Sequence, residues 1–198
     1  GSRLHLSCLS SAGSVELVRR AKERGLPVTA SVAALNLAFD DSAVRDFDTL
    51  FKVLPPLRSP EDRLALIQGL KDGTLDFIVS NHVPLEEELK NVEFPFAAFG
   101  ATGLEGAFAL SRFHLREHLN IEDLVEKWAL APRRLLGLPI PEISPGAEAR
   151  FTLLQPDESW TFTPEHIRSR SRNSPLPGQT LLGRVRGVIA GGEFLEQL

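Results

Sequence analysis

The segment Leu75-Asp76-Phe77-Ile78-Val79-Ser80-Asn81-His82-Val83-Pro84-Leu85 decides how the chain folds. Leu75, Phe77, Ile78 and Val79 form a short apolar run with β-branched members, which predicts a buried strand. Ser80-Asn81-His82 closes it in a polar turn ahead of Pro84. A helix signal precedes it: Ser59 at the N-cap, Pro60 at the first helical position, and Glu61 and Asp62 in the first turn. Leu64, Ile67 and Leu70 recur every three residues and are expected to cover the inner face, with Gln68 interrupting it and Gly73 ending the helix. A buried strand with a helix on either side predicts a parallel α/β sheet. In such sheets the working groups sit beyond the carboxyl ends of the strands, where Asn81 and His82 fall.

The same grammar holds upstream. Leu4 to Leu9 reads as a strand, Ser10 to Gly25 as a helix, and Val28 to Val32 as a second strand. Val15, Leu17, Val18 and Ala21 supply the helix's apolar face. That β-α-β order implies parallel strands joined by a right-handed crossover. Between residues 33 and 53 the pattern is weaker; Asp40-Asp41-Ser42 caps a short helix through Val44 and Phe47.

Downstream, Glu86-Glu87-Glu88-Leu89-Lys90 is a charged loop or short helix, and Phe94-Pro95-Phe96 with Phe99-Gly100 makes an aromatic loop. Gly103-Leu104-Glu105-Gly106 opens a helix through Phe108, Leu110 and Phe113. Asn120 starts another with Leu124, Val125 and Trp128, and Pro132 starts a last one ending at Gly137. Pro139, Pro141, Pro145 and Gly146 then form a linker. Short strands follow at 149–154, 160–163 and 184–190, and Gly191-Gly192 is a hairpin signal into Phe194-Leu195.

Composition excludes several classes. The 198 residues are 42% hydrophobic and 24% charged, as in ordinary globular domains. A net charge of −4 argues against a nucleic-acid partner, which needs a concentrated basic face. No apolar run reaches the ~20 residues of a membrane helix. The single cysteine leaves no internal disulfide, which fits a cytoplasmic setting.

Four stretches resemble the dihydroorotases of the amidohydrolase superfamily. Ser80 to Leu85 is similar to the family's Asp-His-Ala-Pro-His segment on its last barrel strand. Phe51-Lys52-Val53-Leu54-Pro55-Pro56-Leu57-Arg58 is similar to its Lys-x-Asn-Pro-Pro-Leu-Arg. Leu4-His5-Leu6-Ser7-Cys8-Leu9-Ser10 is similar to its x-His-x-x-His-x-Ser/Thr strand, and Ser169 to Gly178 to its C-terminal Ser-Lys-x-x-Asn-x-Pro-x-x-Gly. The resemblance implies an α/β fold: the C-terminal part of a TIM-type (β/α)8 metal-dependent hydrolase barrel, followed by a small β module. Residues 1–138 would run from about strand six to the last barrel helix, and 139–198 would be a C-terminal β-sandwich segment. A complete barrel takes ~250 residues, and the chain contains no methionine. It is therefore expected to be part of a longer product whose other half carries the first-strand metal pair.

At the matched functional positions the chain departs from the family. The metal-binding, proton-accepting Asp is Asn81, the metal-ligating strand His is Cys8, the substrate-contacting Asn is Leu54 and the second loop His is Leu85. His82 is retained. An amide does not titrate, and losing a general base alone removes roughly 10²–10⁴-fold in rate. The expectation is a catalytically degenerate pyrimidine-synthesis homologue with a structural or scaffold role. Its expected partners are the other barrel half or a second copy, with aspartate carbamoyltransferase as a further one. No cofactor is then needed. The competing reading is an active zinc-dependent cyclic-amide hydrolase, interconverting dihydroorotate and carbamoyl aspartate through altered ligands.

The remaining polar residues read as structural: Asn81 on strand-end or loop backbone, His5 and His82 in packing, and Arg168, Arg170 and Arg172 on a loop surface. His114 and His118, at helical i, i+4 spacing, lack a carboxylate partner for a metal site.

Overall fold

A computed structural model describes residues 1–196. Three short strands, β1 (Leu4–Leu6), β2 (Val28–Ala33) and β3 (Phe77–Val79), form a parallel sheet in that order. Leu4 pairs with Val28, and Ala33 pairs with Val79. Helices α1 (Ala12–Glu23) and α3 (Pro60–Lys71) make the crossovers. Ser11 and Ser59 accept the backbone N–H of Ser14 and Asp62, which satisfies donors that a helix start otherwise leaves open.

The first core packs Val15 and Val18 of α1 against Ala30 and Val32 of β2, and against Leu66, Ile67 and Leu70 of α3, with Leu75 and Ile78. Burying such a side chain fully is worth roughly 1.5–3 kcal/mol. The two helices approach closely at Gly69, where an added Cβ would lie 3.0 Å from Val15 Cγ1. The inner face of α3 runs through Leu66, Ile67, Gly69 and Leu70, not through a one-in-three stripe. Leu64 falls on the flank of that face and is 52% exposed. Leu17 of α1 is 69% exposed for the same reason: Val15 and Val18 set the direction of the helix, and Leu17 projects beside them.

A short helix α2 (Ala34–Ala38) continues directly from β2. Helix α4 (Ala107–Leu115) ends before His118, whose backbone N–H returns to the Leu115 carbonyl. His114 and His118 are therefore not partners on one helix. Helices α5 (Ile121–Val125) and α6 (Ala131–Leu136) join through a π-helical turn at Glu126–Leu130. Pro132 has no N–H to return to residue 128, and the Ala131 N–H bonds to the Glu126 carbonyl across the widened turn. Gly137, at φ +66°, ends the run in the left-handed conformation that favours glycine.

The C-terminal segment is a three-stranded antiparallel sheet of β4 (Phe151–Thr161), β5 (Thr180–Ala190) and β6 (Glu193–Glu196). β4 spans the two short strands expected from sequence, with irregularities between Leu153 and Leu154 and between Gln155 and Ser159. Among the described residues the segment forms one sheet of three strands. A second core joins it to the rest: Phe162, Ile167, Leu176 and Leu181 pack with Leu35, Val53, Ala101 and Leu110. Gly106 permits this approach, since a Cβ there would lie 2.6 Å from Leu176 Cδ1. Among the described residues no helix is long and apolar enough to cross a membrane.

Candidate functional site

The carboxyl end of β3 gathers three of the four departing positions. Asn81 sits at φ +48°, a left-handed conformation that Asn tolerates better than most residues. Its Nδ2 donates to the Leu54 carbonyl at 3.0 Å. The Leu54 side chain is 63% exposed over this turn. His82 lies next along the chain and pairs with Ala101 in an isolated parallel bridge. Its Nδ1 accepts the backbone N–H groups of Gly103 and Leu104, both at 3.3 Å, which places the ring proton on Nε2. Leu85 follows on the same loop, and its N–H donates to Asn173 Oδ1 at 3.1 Å.

Cys8 is not part of this gathering. It follows β1, two strands away from Asn81 in the sheet order. It is half-buried at φ +56°, and its N–H donates to Ser31 Oγ at 3.3 Å. This left-handed residue is what ends β1 earlier than the sequence pattern suggests. His5 is held on both ring nitrogens, by Thr29 Oγ1 at 2.9 Å and Ser31 Oγ at 3.2 Å. Its ring stacks on Phe77 with centroids 5.0 Å apart. Burial lowers its pKa from the ordinary histidine value, against a smaller opposing pull from Asp76.

These residues do not fit a zinc ion. Both His5 nitrogens are engaged, the amide of Asn81 is turned to a carbonyl, and Leu54 and Leu85 bring no donor atoms. Among the described residues no group of three His, Cys, Asp or Glu side chains is placed to hold a metal. Nor does the turn hold a group able to take and return a proton in the place where Asn81 stands.

The sequence pattern undervalues three residues that brace the loops around the turn. Asn173, 4% exposed, clamps the post-β3 loop: besides taking the Leu85 N–H, its Nδ2 donates to Val83 O at 3.0 Å and Gly100 O at 3.4 Å. Glu105 accepts the N–H groups of Arg168 and Ser169 at 2.9 and 2.8 Å. Burial pushes its pKa up, and the backbone N–H bonds outweigh that and hold it below the ordinary value. Lys52 is buried and donates to Phe94 O and Pro95 O while lying over the Phe94 and Phe99 rings. The motifs containing Lys52 and Asn173 were visible in the sequence, and their contacts were not.

No family model matches the chain. Its similarity to individual proteins is extensive. It is 42% identical over 198 residues to a dihydroorotase from Syntrophus aciditrophicus and 43% identical over 199 residues to one from Pelotomaculum thermopropionicum, each match covering the whole chain. The chain belongs to the dihydroorotase family. It spans 46% and 47% of the length of those two family members, their C-terminal part. The fold of this dihydroorotase-family chain is shared with the L-hydantoinase (dihydropyrimidinase) of Arthrobacter aurescens, with a TM-score of 0.89 and 25% identity. That match covers 98% of the chain and 45% of the hydantoinase. The inactive dihydroorotase-like domain of a Chaetomium thermophilum CAD-like multifunctional protein matches at a TM-score of 0.72 and 18% identity, over 98% of the chain and 53% of that domain. At that identity the likeness is one of fold.

Proposed function

We propose that this chain supplies a catalytically silent, dihydroorotase-like part of a protein of pyrimidine synthesis, with a scaffold role in the cytoplasm. The observation that carries the reading is the Asn81 amide, which donates to the Leu54 carbonyl where the family's aspartate would accept a proton. Leu54 and Leu85 add apolar surface where a polar substrate would need hydrogen bonds. Among the described residues β1 and β3 are the edges of their sheet, which suits pairing with the other half of the barrel or with a second copy. Aspartate carbamoyltransferase is the further partner we propose.

The test is dihydroorotate ring opening with zinc supplied, run on this chain and on any longer product that carries it. No turnover in either is expected. Metal-dependent turnover would overturn the reading. Failure to co-purify with aspartate carbamoyltransferase would remove that partner. A second reading, a zinc-dependent cyclic-amide hydrolase with altered ligands, is favoured by one observation: Cys8 is a half-exposed thiol at the carboxyl end of a parallel strand. Turnover lost on Cys8→Ala would select it.

A further inference from the structure

Two loops beside the β3 turn form one surface. The ring of Phe47 meets the ring of Phe94, centroids 5.7 Å apart. Lys52 Nζ lies 5.2 Å from the Phe94 centroid and 4.7 Å from that of Phe99. The Ala98 N–H closes the second loop on the Leu89 carbonyl at 2.9 Å. Lys90 Nζ reaches Lys52 O at 3.2 Å and Ala98 O at 2.9 Å, tying the loops together from beneath. Tied in this way, the loops turn large apolar side chains outward: Phe96 is 77% exposed and Phe47 70%, with Leu89, Val92 and Phe99 also exposed on the second loop.

The charge around this apolar face is predominantly negative. Asp46, Asp48, Glu86, Glu87, Glu88 and Glu93 are all exposed on the two loops. The lysines of the same loops, Lys52 and Lys90, are buried and committed to backbone carbonyls. Arg45 is exposed at the edge, and Arg172 faces Asp48 and Glu87 across a cleft of about 390 Å³. Exposed apolar surface rimmed by polar residues marks an interaction site, and a rim in which acidic groups outnumber basic ones favours a partner of opposite charge.

We propose that this acid-rimmed apolar face docks a basic amphipathic segment of another protein, its apolar side chains on Phe47 and Phe96 and its Lys or Arg side chains on the glutamates. This deepens the scaffold reading by naming the chemistry of its partner, and it rests on that reading. The fit is to a protein segment, since apolar and cationic groups must be presented together on a spacing that spans both loops.

The test uses fluorescence anisotropy of a labelled amphipathic Leu/Lys peptide, with a Leu/Glu peptide of the same pattern as control. The Leu/Lys peptide is expected to bind saturably and at least about tenfold more tightly than the control, and to weaken as salt screens the rim. Phe47→Ser with Phe96→Ser, and separately Glu87→Lys with Glu88→Lys, are each expected to weaken it by about tenfold. All four positions are exposed, and unchanged tryptophan fluorescence verifies that the variants fold. Equal binding of the two peptides, or binding untouched by either double variant, would overturn the proposal. So would sedimentation showing that the face is sealed in a dimer of this chain that Phe47→Ser with Phe96→Ser dissolves. A failed peptide titration beside a silent ring-opening assay would sink this inference and leave the catalytic reading standing.

Discussion

Asn173→Ala isolates the part of the fold that holds the β3 turn in place. The side chain accepts the Leu85 N–H at 3.1 Å and donates to Val83 O at 3.0 Å and, more weakly, to Gly100 O at 3.4 Å. The two good bonds contribute about 1 kcal/mol each, and leaving their partners unsatisfied in a site from which Asn173 excludes water adds about 1 kcal/mol or more. The expected loss is roughly 2–4 kcal/mol. Urea unfolding followed by the fluorescence of Trp128 and Trp160 reads it directly. With a slope of about 2 kcal/mol/M, the midpoint should fall by about 1–2 M. Asn173→Asp sharpens the test, because aspartate keeps the acceptor for Leu85 but cannot donate to Val83 and buries a charge. It should be at least as damaging as alanine. A midpoint drop under about 0.3 M for alanine, or an aspartate variant as stable as the parent, would refute the clamp.

Asn81→Gly should lose about 1 kcal/mol or less, since it gives up the bond to Leu54 O but adopts φ +48° freely, whereas Asn81→Ala should lose about 1–3 kcal/mol by adding left-handed strain to the same missing bond; paired thermal melts compare the two. Gly100→Ala should prevent folding or cut stability by more than about 3 kcal/mol, since its Cβ would lie 2.6 Å from Val83 Cγ1 on a backbone at φ +141°; a circular dichroism melt matching the parent would contradict the packing. Burial, with the nearby Arg63 and Arg116, lowers the pKa of His114 to about 4. The unfolded chain therefore binds more protons between about pH 6.5 and 4, and stability falls as pH drops through that window. His114→Phe should shrink the difference in melting temperature between pH 7 and pH 4.5. Burial and neighbouring Lys52 lower the pKa of Lys90 to about 8, against the opposing pull of Asp48. Its contribution to stability should therefore rise from pH 8 toward pH 10, a gain that Lys90→Met should lack in urea midpoints measured across that range.

The α/β character and the order of strands and helices were legible because they rest on local rules. Apolar runs bounded by Gly and Pro mark strands, and Ser59-Pro60-Glu61 marks a helix start wherever it occurs. Family resemblance went further, because the sequence keeps His82, Lys52 and Asn173 in their motifs while changing Asn81, Cys8, Leu54 and Leu85. Periodicity failed where neighbours override it. Leu17 and Leu64 fit an apolar stripe, yet the close approach of α1 and α3 at Gly69 turns the buried faces elsewhere. The sharp end of β1 at Cys8 and the π-helical turn before Pro132 are backbone events with weak local signals.

The chemistry of the site divides along the same line. That position 81 holds an amide, and so cannot shuttle a proton, follows from the residue alone. That this amide spends its N–H on Leu54, 27 residues away, and that Asn173 reaches back 88 residues to hold Leu85, are decided by the fold. Such bonds depend on where distant backbone groups come to rest, and no local pattern in the chain encodes that. The apolar face with its acidic rim is decided in the same way: the charges were visible as a run of glutamates, but only the packing of two loops around Lys52 and Lys90 buries the lysines and leaves Phe47 and Phe96 facing water.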